Sequence, residues 1–88
     1  MQLQDLKYVI VNNNEIKMLP HNLGKIPELQ QIEAKNNLIT DFTSSFNFYP
    51  SLHLLDLSAN RIISIPKGIL VLSKLRTLNL AYNQIRDA

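Results

Sequence analysis

Eighty-eight residues, 45% of them hydrophobic and 18% charged, suffice for one packed unit and are too few for two conventional domains. Nine Lys and Arg against seven Asp and Glu leave a formal charge of +2 with no basic run, which argues against nucleic acid as a partner. Cysteine is absent, so a disulfide framework and thiolate metal sites are excluded.

The N-terminus lacks a basic region followed by an apolar stretch, so it does not read as a secretory signal. The longest apolar run, Ile69-Leu70-Val71-Leu72, is far short of a membrane span. No Asn-x-Ser/Thr site occurs. A cytoplasmic or nuclear protein, not secreted and without a membrane partner, is the expectation.

Along the chain, one pattern returns four times. The first unit reads Leu6-x-x-Val9-x-Val11-x-x-Asn14-x-Ile16, and the second Leu29-x-x-Ile32-x-Ala34-x-x-Asn37-x-Ile39. The third reads Leu52-x-x-Leu55-x-Leu57-x-x-Asn60-x-Ile62, and the fourth Leu75-x-x-Leu78-x-Leu80-x-x-Asn83-x-Ile85. Each asparagine lies 23 residues after the last. A fixed period of this size marks stacked supersecondary units, none of which buries its apolar face alone.

Counting the first Leu of each unit as position 1, positions 4 and 6 are apolar around a variable residue, the alternation of a short strand with one buried face. The asparagine at position 9 comes where the chain turns away. Its amide has donors and an acceptor for backbone groups that the bend leaves unpaired, so Asn14, Asn37, Asn60 and Asn83 are expected to form a structural ladder. Beyond it, apolar residues such as Ile16, Leu19, Leu23 and Ile26 follow at spacings of three and four, those of one helical face. Pro20, Pro66 and nearby breakers predict short or irregular helical turns.

This motif resembles the leucine-rich repeat, in the 23-residue intracellular class similar to Ras-pathway scaffolds and plant intracellular Ras-group repeat proteins. The resemblance runs from about Leu3 to Ile85 and is strongest in the third and fourth units. It implies an α/β fold: a curved right-handed solenoid of four repeats, with short parallel strands on the concave face and short helical turns on the convex face. The repeats fall at about 6–28, 29–51, 52–74 and 75–88, the last truncated, within one domain spanning 1–88. The second unit departs by carrying Ala34 for Leu and Phe42-Thr43 for Leu-Pro or Ile-Pro. Phe42, Phe46 and Tyr49 are expected to fill the volume that Ala34 gives up.

Residues alternating with positions 4 and 6 must face outward. They form rows Tyr8, Ile10, Asn12; Gln31, Glu33, Lys35; Leu54, Asp56, Ser58; and Thr77, Asn79, Ala81. Position 8 adds Asn13, Asn36, Ala59 and Tyr82. Glu33 and Asp56 share a column, about 4.8 Å apart if their strands pair. They form either a solvated acidic spot or a patch suited to a basic partner segment. Tyr8 and Ile10 are apolar at outward positions, either as contact surface or beneath a preceding cap. The expected partner-binding residues are Tyr8, Ile10, Glu33, Lys35, Leu54, Asp56 and Tyr82, and replacing Glu33 and Asp56 by Ala should weaken a partner without unfolding the stack.

Catalysis has no support. His21 and His53 lie apart in the repeat, no phosphate loop or nucleophile motif occurs, and no metal or other cofactor is expected. Neither end supplies a cap, so the chain is expected to be a fragment of a longer protein, or to close its open ends by self-association. Protein–protein interaction through the concave face, as scaffold, adaptor or regulatory subunit, is the functional expectation. A structural spacer, or an accessory segment of a larger signalling enzyme, is the alternative.

Overall fold

Alternation at positions 3 to 5 of each unit produces four strands: β1 (Tyr8–Ile10), β2 (Gln31–Glu33), β3 (Leu54–Asp56) and β4 (Thr77–Asn79). The computed structural model describes residues 6–18, 26–40, 51–64 and 74–86. The strands form one sheet in chain order, each pair parallel. Register follows the repeat, with Val9 beside Ile32, Ile32 beside Leu55, and Leu55 beside Leu78. Parallel neighbours require a long crossover, which the residues between strands supply. Those return segments, with the expected helical turns and the packing of Phe42, Phe46 and Tyr49, lie outside the described residues.

Backbone pairing continues past the strands in the same register. Val11 N–H donates to Glu33 O at 2.8 Å, Ala34 N–H to Asp56 O at 2.9 Å, and Leu57 N–H to Asn79 O at 2.9 Å. After the turn, Leu38 donates to Ile16 O, Arg61 to Ile39 O and Gln84 to Ile62 O, each at 2.9 Å. Hydrogen bonds thus join each repeat to the next on both sides of the bend. Cohesion comes from nearest neighbours, as a stack of this kind requires.

The core lies under the middle of the sheet. Leu29, Ile32, Ala34, Ile39, Leu52, Leu55, Leu57 and Ile62 are essentially inaccessible, and Ile26 is also buried. Leu6, Val9, Val11, Ile16, Leu75, Leu80 and Ile85 pack against this cluster from the flanking repeats and are partly buried. Equivalent residues therefore differ in burial according to how many neighbours they have. Leu55, between two strands, is fully buried, whereas Leu78 on the edge strand β4 is 38% exposed. Burying a leucine completely stabilises by about 1.5–3 kcal/mol, so among the described residues those of the middle repeats contribute most of the apolar burial.

Candidate functional site

The asparagine ladder forms as the spacing predicts, and its geometry explains the invariant amide. Asn37 Oδ1 accepts from Ile16 N–H at 3.1 Å, Asn60 Oδ1 from Ile39 N–H at 3.0 Å, and Asn83 Oδ1 from Ile62 N–H at 2.9 Å. Each amide nitrogen then shares its two protons among three carbonyls. For Asn60 these are Ala34 O at 3.0 Å, Leu57 O at 2.9 Å and Ser58 O at 3.1 Å. One side chain thereby closes its own turn and ties it to the preceding repeat. Only a group with donor and acceptor on one planar head can do both. Asn14 donates to Val11 O and Asn12 O at 2.7 and 3.1 Å and is exposed, so its share of the ladder is smaller.

Immediately before each ladder residue the backbone turns left-handed. Asn13, Asn36, Ala59 and Tyr82 have φ of 62°, 60°, 55° and 58°. Asparagine tolerates this region; alanine and tyrosine do so at a cost of about 1–2 kcal/mol. In the first two repeats the position carries a second ladder, with Asn36 Nδ2 donating to Asn13 Oδ1 at 2.9 Å. Tyr82 has neither benefit, and its side chain is 87% exposed.

Outward-facing residues occupy the expected columns. Tyr8, Gln31, Leu54 and Thr77 are in register, as are Ile10, Glu33, Asp56 and Asn79. Tyr8 and Ile10 are 56% and 61% exposed, leaving an apolar patch at the β1 end of the face. Leu54 is partly buried, Lys35 is exposed, and Tyr82 sits past the strands on the turn rather than within the sheet.

The two carboxylates hold different partners. Glu33 accepts from Gln31 Nε2 on its own strand and from Asn12 Nδ2 at 3.4 Å across the sheet. Asp56 Oδ1 accepts from Ser58 N–H at 3.0 Å and Ser58 Oγ–H at 2.7 Å. The same local cap recurs one repeat later, where Asn79 Oδ1 accepts from Ala81 N–H at 3.0 Å. In the second repeat Glu33 is too long for this role, and Lys35 N–H instead bonds Asn12 Oδ1 from the neighbouring repeat at 2.8 Å. Ser58 is buried, so Asp56 has a structural duty alongside its charge. Replacing Asp56 by Ala therefore has a stability cost besides any effect on a partner. Asp56→Ala strands a buried N–H and hydroxyl, at about 1–3 kcal/mol per orphaned group. Asp56→Asn removes charge while keeping the Oδ1 acceptor of both Ser58 bonds, and Glu33→Gln removes charge while keeping one of the two acceptor oxygens.

Sequence reasoning missed four features. Asn12, at an outward grid position, bridges two repeats. The left-handed turn was signalled by Asn13 and Asn36, and obscured by Ala59 and Tyr82. A recess of about 410 Å³ lined by His53, Lys74, Leu75 and Arg76 gathers residues from two repeats at the strand-entry edge. A second, polar groove of about 590 Å³ follows the ladder along Asn13, Asn14, Glu15, Asn36, Asn37 and Leu38. Among the described residues no three His, Asp or Glu side chains converge as metal ligands, and no helix is long and apolar enough to cross a membrane.

Comparison with known proteins agrees with the repeat geometry. A family model described as leucine rich repeat matches residues 50–87. Osteomodulin of Bos taurus is 31% identical over 99% of this chain and 20% of its own length. Probable inactive serine/threonine-protein kinase roco10 of Dictyostelium discoideum is 30% identical over 96% of this chain and 3% of its own. Toll-like receptor 1 of Homo sapiens is 37% identical over 67% of this chain and 7% of its own. The chain thus spans between 3% and 20% of the length of these relatives.

Proposed function

We infer function from one established premise: the chain belongs to the leucine-rich repeat superfamily. It is a protein-interaction module. The outward face of the sheet, concave in a solenoid of this family, binds the partner, and the chain serves as scaffold, adaptor or regulatory part without a catalytic role of its own. An intracellular setting resembling that of Ras-pathway scaffolds belongs to the same proposal.

One observation carries this reading. Within a repeat whose buried positions are nearly uniform, the outward positions vary in every repeat and include Tyr8 and Ile10, more than half exposed beside the polar residues Asn12 and Glu33. Uniform positions serve the frame; variable exposed ones are free to serve recognition. An aromatic and an aliphatic residue exposed together at the edge of a charged patch match the anatomy of binding surfaces, where a few such residues supply most of the affinity. Glu33 and Asp56 then set polarity, favouring a partner with Lys or Arg over the centre of the sheet.

The test is site-specific photo-cross-linking of the full-length protein in its native cells, with the cross-linker placed at Ile10 or at Gln31. The proposal expects one predominant protein adduct common to both positions. Absence of any protein adduct from either position rejects it. Self-association through the sheet edges, part of the same set of expectations, is measured by light scattering, and a monomer at tens of micromolar dismisses it.

A further inference from the structure

We propose that the recess at the strand-entry edge of the third and fourth repeats is a binding site for the carboxylates of an acidic peptide segment. It is separate from the outward face described above and does not depend on it. The repeat supplies an internal control. The triplets preceding β2, β3 and β4 read Glu28-Leu29-Gln30, Ser51-Leu52-His53 and Lys74-Leu75-Arg76. The central leucine is what the frame requires, and Leu29 and Leu52 are buried to within 1%. The flanking residues change from acid and amide, through hydroxyl and imidazole, to two cations. Nothing in the frame calls for that progression, because the backbone bonds at these sites are the same in each repeat. Gln30 N–H donates to Lys7 O, His53 N–H to Gln30 O and Arg76 N–H to His53 O, each at 2.8 Å.

Those bonds give the site its preorganisation. The carbonyl of His53 accepts from Arg76 N–H at 2.8 Å and from Thr77 N–H at 3.0 Å, which holds His53 and Arg76 side by side at the entries to β3 and β4. Lys74 and Arg76 are exposed, His53 and Leu75 are partly buried, and among the described residues no acidic one lines the recess. One repeat earlier the residue equivalent to Lys74 has a structural use, with Ser51 Oγ–H donating to Pro27 O at 2.9 Å. Lysine in its place contributes charge instead.

An Arg fork, an ammonium and an imidazole converging on a small apolar floor suit one or two carboxylates. Two spacings along the same edge, about 10 Å away, stands Glu28, which repels a continuing run of phosphates. A short acidic side-chain cluster meets the cations and stops before that point.

The experiment is a titration of the isotopically labelled protein, followed by amide chemical shifts. The probes are a Glu-rich peptide, its Gln-substituted counterpart, inorganic phosphate and a single-stranded oligonucleotide. The Glu peptide is expected to shift the amides of His53, Leu75 and Arg76, to weaken as salt is raised, and to lose about tenfold in affinity in Lys74→Glu/Arg76→Glu. Both substituted residues are exposed, and Lys74→Gln/Arg76→Gln, which adds no repulsion, should show an intermediate loss. The Gln peptide should leave the spectrum unchanged. Equal shifts from both peptides, shifts unaffected by either double substitution, or tighter binding of the oligonucleotide or of phosphate alone would each overturn the assignment.

Discussion

Replacing Asn60 by Ala isolates what the ladder contributes. The change removes the acceptor of Ile39 N–H, a fully buried residue whose amide then has no partner in the bond network described. The three carbonyls that lose Asn60 Nδ2 fare better. Ala34 O keeps Asn37 Nδ2 at 2.9 Å, Leu57 O keeps Asn83 Nδ2 at 2.9 Å, and Ser58 O keeps Asn36 N–H at 3.0 Å. One orphaned buried donor costs about 1–3 kcal/mol, and three weakened acceptors with a small cavity add about 1 kcal/mol more. The expected loss is therefore about 3 kcal/mol, a large share of the stability of a small domain. Asn14→Ala is the control. Asn14 is exposed, and Val11 O retains Asn37 Nδ2 at 3.2 Å, so its loss should stay below about 1 kcal/mol. Asn60→Asp separates acceptor from donor: it still receives Ile39 N–H but sets an oxygen against three carbonyl oxygens, and should match or exceed Ala at neutral pH. Urea unfolding with the slope checked for constancy reads all three. Equal losses at Asn14 and Asn60, or a harmless Asn60→Asp, would refute the bonding scheme.

Other substitutions test separate parts of the structure. Tyr82→Asn relieves the left-handed strain at φ 58° and should raise stability by about 0.5–1 kcal/mol, visible as a higher melting temperature. If Tyr82 contacts the partner, the same variant binds more weakly, so stability and affinity move in opposite directions. Leu55→Ala empties a fully buried site and should cost about 3 kcal/mol, whereas Leu78→Ala, at 38% exposure, should cost about half as much in the same urea assay. Glu33→Gln/Asp56→Asn should leave the urea midpoint within about 0.5 kcal/mol of wild type while weakening a basic partner and flattening its salt dependence, measured by calorimetry at two ionic strengths.

The frame was legible because each of its positions tolerates one kind of residue. Leu55 and Leu57 reach the core through the alternation of a strand, and Asn60 must both donate and accept, so spacing alone gave the strands, their facing and the ladder. Period-two alternation likewise placed Tyr8, Ile10, Glu33 and Asp56 on the outward face. What escaped the sequence depends on reach across the register. Asn12 meets Lys35 N–H and Glu33 only because the parallel register sets their repeats side by side, and His53 meets Arg76 for the same reason. The cap made by Asp56 spans two residues, and a carboxylate in an outward column signals charge without signalling that bond. The left-handed turn stayed hidden because two of its four residues, Ala59 and Tyr82, are poor indicators of positive φ.

Recognition by the outward face has one decisive measurement. The partner identified by cross-linking is titrated against wild-type protein and against Tyr8→Ala/Ile10→Ala, with the unfolding midpoint of each determined in parallel. Losing two exposed apolar contacts from the recognition face predicts Kd rising at least about tenfold while the midpoint hardly moves. An unchanged Kd in a folded variant would contradict binding through this face.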